Sequence, residues 1–430
     1  MQESVNKSDV CILIPTYNRN DAVDYYLKKK LDYFRSIKFD VVIYDSSRND
    51  LTKNVVEKYI RQGYSCLKYV HYKDPEDDLY GNTKVRDALL KCADDYEYVW
   101  LCGDTAILLL DEYEDQVFDL LEKKYDVIHI YKNELGLSSE VDLDYRLFFK
   151  NFFWSMTHWC AFILSRRLIK DMEKWMTECL EMKNTGVIVY AVFKALAYGN
   201  YKIAYINHGV YKHSPCRGLA AAMKNKEMLK GFAEMINVCV DCLPGEYDEV
   251  KNIAKKSFTE NTGTFSWQGA IDLRAGGSLS VKKLIRYKKH LRNMTDVPMA
   301  WFYLWSIVPK SVARKISPQY LAPIKEERKL NKLNKNASRV IIYGAGEHGV
   351  RILYKIGHDY DNIKIVAVSD KNSDRDWLKM NWEHGVIPLA DIPKYDYDSI
   401  AVTILNKKVY KEVRKQLMQA GAPAGSVFHI

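Results

Sequence analysis

The chain has 430 residues, of which 47% are hydrophobic and 28% are charged, and its formal net charge is +9. These values exclude an intrinsically disordered chain, and the length predicts two or three globular domains. Residues 281–335 hold 14 Lys and Arg against 3 acidic residues, a net charge of +11 that leaves −2 for the rest of the chain. We therefore expect an acidic partner to meet the protein at this segment.

Targeting and redox features are sparse. The first nine residues lack a basic start followed by an apolar stretch, and no uninterrupted apolar run is long enough to span a bilayer, so we expect neither a signal peptide nor a membrane span. The nine cysteines are dispersed, and the one close pair, Cys239 and Cys242, is a poor zinc signature without a second pair. This usage fits a reducing cytoplasm.

The first part of the chain alternates apolar strand-like runs with helical periodicity. Residues 10–14, 39–44 and 98–102 predict strands, and residues 81–92 predict a helix between the last two. This alternation predicts a parallel α/β sheet with helices on both faces. Ligands of such sheets bind beyond the carboxyl ends of the strands.

Polar residues follow three of these strands, namely the run from Thr16 to Arg19, then Asp45, and then Asp104. Lys84 and Arg86 lie between the second and third of them, and their point charge and bidentate fork suit a diphosphate. The three ends therefore predict a nucleotide site. The alternative is that they are solvated loop ends, with Asp104 in an ordinary β-turn.

Four motifs carry a resemblance to a known family: residues 14–19 (Ile-Pro-Thr-Tyr-Asn-Arg), 41–47, 81–87 and 98–105. With these motifs in this order, residues 10–110 resemble the GT-A nucleotide-binding half of family 2 glycosyltransferases. The resemblance implies transfer of a sugar, with inversion, from a nucleotide-sugar donor to a glycan or lipid-linked glycan acceptor. A UDP-sugar would be the donor, and bacterial surface polysaccharide synthesis, such as that of a capsule, would be the pathway.

The same resemblance assigns roles to individual residues. Asp104 falls in the acidic motif that holds Mn²⁺ or Mg²⁺ across the diphosphate, and a late histidine, His213 or alternatively His208, would complete the metal site. Such a cation would offset the negative charge that grows on the leaving diphosphate. The donor-binding residues implied are Pro15, Thr16, Tyr17, Arg19, Asp45, Lys84 and Arg86.

The chain departs from the family pattern at two places that matter for chemistry. Where family members have two or three acids, residues 102–106 contain only Asp104, and this leaves a divalent cation in question. Where they carry the general base, residues 184–188 contain no carboxylate. Glu181 is the nearest acid and is our candidate for the base, with a structural surface glutamate as the alternative.

Two features between residues 111 and 215 bear on the acceptor. Residues 148–159 are rich in aromatic side chains, which predicts either a wall on which an acceptor sugar stacks or a layer of the hydrophobic core. Residues 187–199 predict an amphipathic helix.

Residues 216–337 lack strand alternation and predict a helical, basic region, in which residues 325–337 form a linker or a short exposed helix. Within it, residues 298–308 are aromatic and apolar with basic flanks. Residues 281–315 therefore fit a helix on an anionic membrane surface, or equally a helix packed on the first domain. We find no nucleic-acid-binding motif. These features predict a cytoplasmic protein, with peripheral attachment to the inner face of the cell membrane left open.

Residues 339–349 predict a strand, then the glycines Gly344, Gly346 and Gly349 in a G-x-G-x-x-G pattern, then a helix. Such glycines let a pyrophosphate approach a helix N-terminus, and Asp370 stands where an acid accepts from a ribose hydroxyl. The segment resembles the small Rossmann-like domains of bacterial sugar and capsule enzymes. Residues 338–430 are short for a complete dehydrogenase, so we expect no bound NAD, and the alternative role is docking or homo-oligomerisation.

The sequence thus predicts an α/β protein of three parts: a GT-A domain (1–215), a helical basic region (216–337) and a Rossmann-like domain (338–430). The predicted activity is that of a glycosyltransferase. One rival is a non-catalytic protein that keeps both nucleotide folds as binding or scaffold modules. A second rival is a nucleotide-sugar-modifying enzyme that acts through the C-terminal domain.

Overall fold

The computed structural model describes residues 9–73, 81–132, 138–216, 228–336, 339–373 and 385–430. The chain forms two compact units, one of residues 1–212 with 219–317 and one of residues 213–218 with 318–430. These units divide the chain differently from the predicted domains. The helical residues up to 317 group with the first sheet, and the rest of the predicted basic region groups with the C-terminal sheet.

The described strands up to residue 213 are β1 (Val10–Thr16), β2 (Asp40–Asp45), β3 (Leu67–His71), β4 (Tyr98–Leu101), β5 (Ala106–Leu108), β6 (Val127–Ile130), β7 (Phe162–Ser165), β8 (Ile203–Ile206) and β9 (Tyr211–His213). The helices among and after them are α1 (Asn20–Ser36), α2 (Leu51–Arg61), α3 (Asn82–Asp95), α4 (Glu114–Glu122), α5 (Tyr145–Phe152), α6 (Arg166–Glu181), α7 (Val187–Tyr198), α8 (Met235–Asp241), α9 (Asp248–Thr262), α10 (Trp267–Gly276), α11 (Val281–Met294), α12 (Met299–Ile307) and α13 (Lys310–Ile316).

The main sheet has the order β3-β2-β1-β4-β7-β6-β8. Strand β7 runs antiparallel to both of its neighbours, and the other neighbouring pairs are parallel. This confirms the predicted α/β class with a parallel-dominated sheet. The carboxyl ends of β1, β2, β4 and β6 therefore lie at one edge, which we call the ligand edge.

Strand β1 continues through Pro15 to Thr16, two residues beyond the strand predicted at residues 10–14. The pairing of β1 with β4 stops at Leu13, and the Cys102 amide donates to the Leu13 carbonyl. The backbone nitrogen of Pro15, two residues after Leu13, points to the same side of β1, where β4 has already ended. Because β4 offers no carbonyl oxygen there to accept a hydrogen bond, the missing N–H of proline costs little.

The prediction of an amphipathic helix at residues 187–199 is wrong in one respect. Helix α7 is present, but every residue from Val187 to Phe193 is buried, as are Ala195 and Leu196. The helix packs against α3, α5, α6 and α8, so it has almost no solvent face to carry polar residues.

The second unit contains α14 (Pro318–Asn336), β10 (Arg339–Tyr343), α15 (Glu347–Asp359), β11 (Lys364–Ser369), β12 (Ser399–Val402), α16 (Lys407–Gln419) and β13 (Val427–His429). Its sheet has the order β11-β10-β12-β13 with every pair parallel. Of the two alternatives for residues 325–337, the helix is present: residues 325–336 are the end of α14, whose Leu330 and Leu333 are buried in this core. Ile387 forms a single parallel bridge to Ser369.

Of the helices in the described ranges, none is both long and apolar enough to cross a bilayer.

Candidate functional site

The ligand edge brings together a predicted donor-binding residue, Thr16, and the predicted catalytic and metal-binding residue, Asp104. Thr16 is the last residue of β1, and Asp104 follows β4 by three positions. Thr16 Oγ1 donates a hydrogen bond to Asp104 Oδ2 at 2.9 Å, although the two residues are 88 positions apart. The adjacency follows from the parallel pairing of β1 with β4, which puts both strand ends at the same edge.

Lys84 lies beneath this pair. It projects from α3, is 6% exposed, and its Nζ donates to the Thr16 carbonyl at 2.9 Å and to Ser46 Oγ at 2.6 Å. The ammonium therefore joins the ends of β1 and β2 at the ligand edge, and it also lowers the pKa of the Asp104 carboxyl.

The Asp104 carboxyl is held in a mixed electrostatic environment. Burial raises its pKa, and the nearby Asp21 carboxylate acts in the same direction. The Arg19 guanidinium, the Thr16 hydroxyl and Lys84 lower the pKa, but burial is the largest effect and the pKa is raised overall. Asp104 thus faces two cations at a half-buried site.

Asp45 is fully buried, and both of its carboxylate oxygens have protein donors. Oδ1 accepts from the Ser47 amide at 2.9 Å and from its hydroxyl at 2.5 Å, and Oδ2 accepts from the Tyr69 hydroxyl at 3.0 Å. Ser47 Oγ in turn accepts from the amide of Asn18, which has a positive φ of 52°. In this arrangement Asp45 shapes the loop that presents Tyr17, which is 47% exposed.

Arg86 is oriented by a residue that the sequence analysis did not single out. Its Nε and Nη2 lie 2.8 and 2.7 Å from Asp87 Oδ1, and Asp87 Oδ2 accepts from the Tyr72 hydroxyl at 2.8 Å. The Tyr72 ring lies 5.4 Å from that of Tyr44, at the end of β2. Asp87 belongs to the motif at residues 81–87 that carries part of the family resemblance, so the sequence could have indicated its role.

Pro15, another predicted donor-binding residue, is buried within β1.

The aromatic-rich segment 148–159 contains both buried and partly exposed rings. Its phenylalanines are in the core, whereas Trp154 and His158 are partly exposed. Tyr131, just after β6, has its ring 4.8 Å from Trp154 and 6.0 Å from His158, and the Tyr211 hydroxyl lies 3.5 Å from His158 Nδ1. These four side chains, the aromatic cluster, lie at the ligand edge because β6 is parallel to β4.

The candidate base Glu181 and the residues before α7 lie at the carboxyl end of α6. Helix α6 begins beside the start of β4, where Ser165 pairs with Tyr98. Glu181, the last residue of α6, is exposed. Asn184 closes the start of α7: it is buried, its amide donates to the Met235 carbonyl at 3.2 Å, and it accepts from the Gly186 amide at 2.8 Å.

The residues present fit a divalent cation poorly. Within the described ranges, no group of three or more His, Cys, Asp or Glu side chains could hold a metal ion. The donors at Asp104 are one carboxylate and the Thr16 hydroxyl, and Arg19 and Lys84 already act on that carboxylate. His213 is the last residue of β9, which pairs with β5, and β5 begins two residues after Asp104. His208 lies 3.7 Å from Glu112, and its Nδ1 lies 3.1 Å from the Gly209 carbonyl.

In the second unit, the predicted glycine loop follows β10. Gly344 has a φ of +102°, and a Cβ at Gly349 would lie 1.8 Å from the Gly344 carbonyl oxygen, whereas a Cβ at Gly346 would meet nothing within 4 Å. Asp370 Oδ2 accepts from the Ala345 amide at 2.8 Å, and Oδ1 accepts from the Asn372 amide at 2.9 Å. Asp370 thus fastens the loop to the end of β11.

A family model described as C2185-like, N-terminal, matches residues 336–428. No curated protein matches the chain.

The solved structures similar to the chain include TarS 1-349 of S. aureus in complex with UDP, at 16% identity over 69% of this chain and 90% of that one, with a TM-score of 0.43. Mannosyltransferase PcManGT from Pyrobaculum calidifontis in complex with GDP-Man and Mn²⁺ is 14% identical over 71% of this chain and 85% of that one, with a TM-score of 0.39. Glucosyl-3-phosphoglycerate synthase from Mycobacterium tuberculosis in complex with Mn²⁺, UDP and glucosyl-3-phosphoglycerate is 13% identical over 55% of this chain and 80% of that one, with a TM-score of 0.33. These likenesses are remote, so the function proposed below rests on this chain's own residues.

Proposed function

We propose that the first unit is a GT-A glycosyltransferase that moves a sugar from a nucleotide-sugar, most simply a UDP-sugar, to a glycan or lipid-linked glycan acceptor. The supporting observation is the meeting of Thr16, Lys84 and Asp104 at the ends of parallel strands. Crevices at this edge of an open α/β sheet are the usual place for a nucleotide. Bacterial surface polysaccharide synthesis and inversion at the sugar carbon are part of the proposal.

The leaving nucleoside diphosphate would be stabilised by side-chain cations. Lys84 lies under the crevice and Arg19 acts on Asp104 from its rim, so a diphosphate placed there gains two positive charges in a partly desolvated site. The ionised Asp104, oriented by Thr16, would accept hydrogen bonds from donor hydroxyls. Because the side chains around Asp104 do not fit a divalent cation, the proposed mechanism uses none.

The acceptor would bind at the aromatic cluster on the same edge. The partly exposed ring faces of Tyr131 and Trp154 offer a surface on which a sugar ring stacks, and His158 and Tyr211 offer polar atoms beside it. Glu181 is the proposed general base that takes the proton of the acceptor hydroxyl. Replacement of Glu181 with Gln should abolish transfer, whereas Glu173→Gln, an exposed change on the same helix, should not.

A second candidate function is nucleotide binding without catalysis. The observation that favours it is the start of α7, where buried Asn184 fills the position at which a base would stand. In this account the crevice binds a nucleotide-sugar but does not turn it over. We also propose that the second unit is a Rossmann-like nucleotide fold, since the open space at Gly346 lies beside the N-terminus of α15.

Calorimetric titration of UDP and GDP into the full chain tests the site itself. We expect binding of one of them that is weakened at least about tenfold by Lys84→Met, because the charge-assisted contact under the crevice is lost. Lys123→Met removes an exposed lysine elsewhere on the unit and should bind like wild type. Equal affinities of wild type and Lys84→Met, or no binding of either nucleotide, would refute the proposed site.

A further inference from the structure

Helix α12 turns an apolar stripe toward solvent. Ala300, Tyr303, Leu304 and Ile307 occupy the i, i+3, i+4 and i+7 positions, and the last three are 39%, 48% and 67% exposed. Residues 299–307 contain no charged side chain. The outward face of a surface helix is normally polar, so this stripe calls for a partner.

The stripe is distinct from the face that holds the helix in the fold. Phe302 and Trp305 are buried on the opposite side, where α12 packs on α10 and α11. The next helix, α13, exposes Val312 and Ile316 four positions apart, at 45% and 47%. Helices α12 and α13 thus each expose apolar side chains to solvent in addition to the apolar side chains that they bury in the fold.

Tryptophan rings lie at the edge of this surface. Trp267 is 54% exposed, its ring lies 5.1 Å from that of Trp301, and its carbonyl accepts from Trp301 Nε1 at 2.9 Å. Such rings, with an apolar body and a polar edge, favour the boundary between water and lipid.

The charges around the surface are almost all positive. Residues 281–317 contain nine Lys and Arg and a single acid, Asp296, whose carboxylate pairs with Lys256 Nζ at 2.6 Å. The exposed cations of α11 and α13 include Lys282, Lys288, Lys289, Arg292 and Lys315. An apolar stripe between basic helices is complementary to a surface that has negative charges at its boundary with water and an apolar layer below them.

We propose that α11, α12 and α13 form a docking surface for an anionic lipid bilayer. Leu304 and Ile307 enter the boundary between headgroups and acyl chains, while the lysines of α11 lie against lipid phosphates. The surface is independent of the ligand edge, so the proposal does not rest on the transferase activity.

Co-flotation of the full chain with vesicles tests this surface. We expect the protein to float with vesicles of phosphatidylcholine and phosphatidylglycerol, to bind vesicles of phosphatidylcholine alone far more weakly, and to be released by high salt. The double variant Leu304→Glu/Ile307→Glu should bind at least about tenfold more weakly, since it puts two carboxylates into the interface. Lys288→Glu/Lys289→Glu should weaken binding by about tenfold or more through the charge alone.

The matched control is Leu405→Glu, because Leu405 is 72% exposed and lies in the second unit. This variant should bind vesicles like wild type, and circular dichroism should show that every variant is folded. No flotation of wild type, or equal flotation of Leu304→Glu/Ile307→Glu, would overturn the proposal. A wild-type dimer in sedimentation analysis that Leu304→Glu/Ile307→Glu dissociates would assign the stripe to a second copy of the chain and would also overturn it.

Discussion

Thr16 Oγ1 lies 2.9 Å from Asp104 Oδ2 and donates a hydrogen bond to the carboxylate. This hydrogen bond joins the ends of β1 and β4 at the point where the proposed donor binds. It also supports the ionised form of Asp104 against the effect of burial. The proposed chemistry therefore depends on a pair that neither strand supplies alone.

Replacement of Thr16 with Val removes this donor with little change of shape. We expect kcat/KM for the nucleotide-sugar to fall by at least about tenfold, since a charge-assisted hydrogen bond in the site is lost. Thr16→Ser keeps the hydroxyl and should retain most of the activity. Steady-state kinetics of the three proteins make the comparison, and wild-type kcat/KM in Thr16→Val would show that the hydroxyl is not needed.

Asp104→Asn should stabilise the fold while it reduces turnover. The folded-state pKa of Asp104 is raised, so ionisation of this carboxyl destabilises the native state at neutral pH. The stability gap between Asp104→Asn and wild type should be full above that raised pKa. It should close as pH falls from there through the ordinary value of 3.8, because below 3.8 the wild-type carboxyl is protonated in both the folded and the unfolded state. Thermal melts across this range measure the gap, and a variant less stable than wild type at pH 7 would contradict the expectation.

The effect of His129 on folding stability should depend on pH in the opposite direction to that of Asp104. Burial lowers the pKa of this fully buried imidazole from 6.5 to about 3. The contribution of neutral His129 to folding stability is therefore complete above pH 6.5 and is lost as pH falls toward 3. In this range the imidazole is protonated in the unfolded chain but stays neutral in the folded protein. His129→Gln can still bond Ser155, whose hydroxyl lies 2.9 Å from His129 Nε2. Denaturant unfolding at pH 7 and pH 4.5 should show a smaller acid loss for the variant, and equal losses would exclude His129 as the source.

The glycine loop of the second unit offers a matched pair of variants. Gly349→Ala should unfold this unit or destabilise it by several kcal/mol, because its Cβ would lie 1.8 Å from the Gly344 carbonyl oxygen. Gly346→Ala should fold normally, since nothing lies within 4 Å of its Cβ. If the unit binds a nucleotide, Gly346→Ala should weaken that binding alone. Hydrogen exchange of residues 339–430 reports the folding of each variant, and an intact Gly349→Ala unit would contradict the geometry.

The sequence sufficed for the parts of the site that depend on strand order. Apolar runs ending in Thr16 and Asp104 predict adjacent side chains, because parallel strands end at the same edge. Lys84 was placed in the site for its charge, but its burial under Thr16 depends on the packing of α3 against β1. The engagement of Asp45 by Ser47 and Tyr69 is likewise tertiary, since Tyr69 comes from the neighbouring strand β3.

Other features could not be predicted because local patterns do not show what lies around them. Helix α7 has a helical period but is enclosed on nearly all sides, which only the assembled layers reveal. The segment 148–159 is uniformly aromatic in sequence, and whether a ring such as Phe149 or Trp154 is core or surface depends on where the neighbouring strands end. The charged sequence of α14 likewise does not show that its Leu330 and Leu333 are buried in the second core.

Release of free nucleotide from a panel of nucleotide-sugars, in the presence of candidate glycan acceptors, tests the central claim most directly. We predict release from one donor by the wild-type chain, retained in EDTA because Lys84 and Arg19 supply the positive charge, and abolished in Asp104→Asn. Asp119→Asn, an exposed change on α4, should release nucleotide at the wild-type rate. Release that persists unchanged in Asp104→Asn, or nucleotide binding with no release from any donor and acceptor, would contradict the proposed glycosyltransferase.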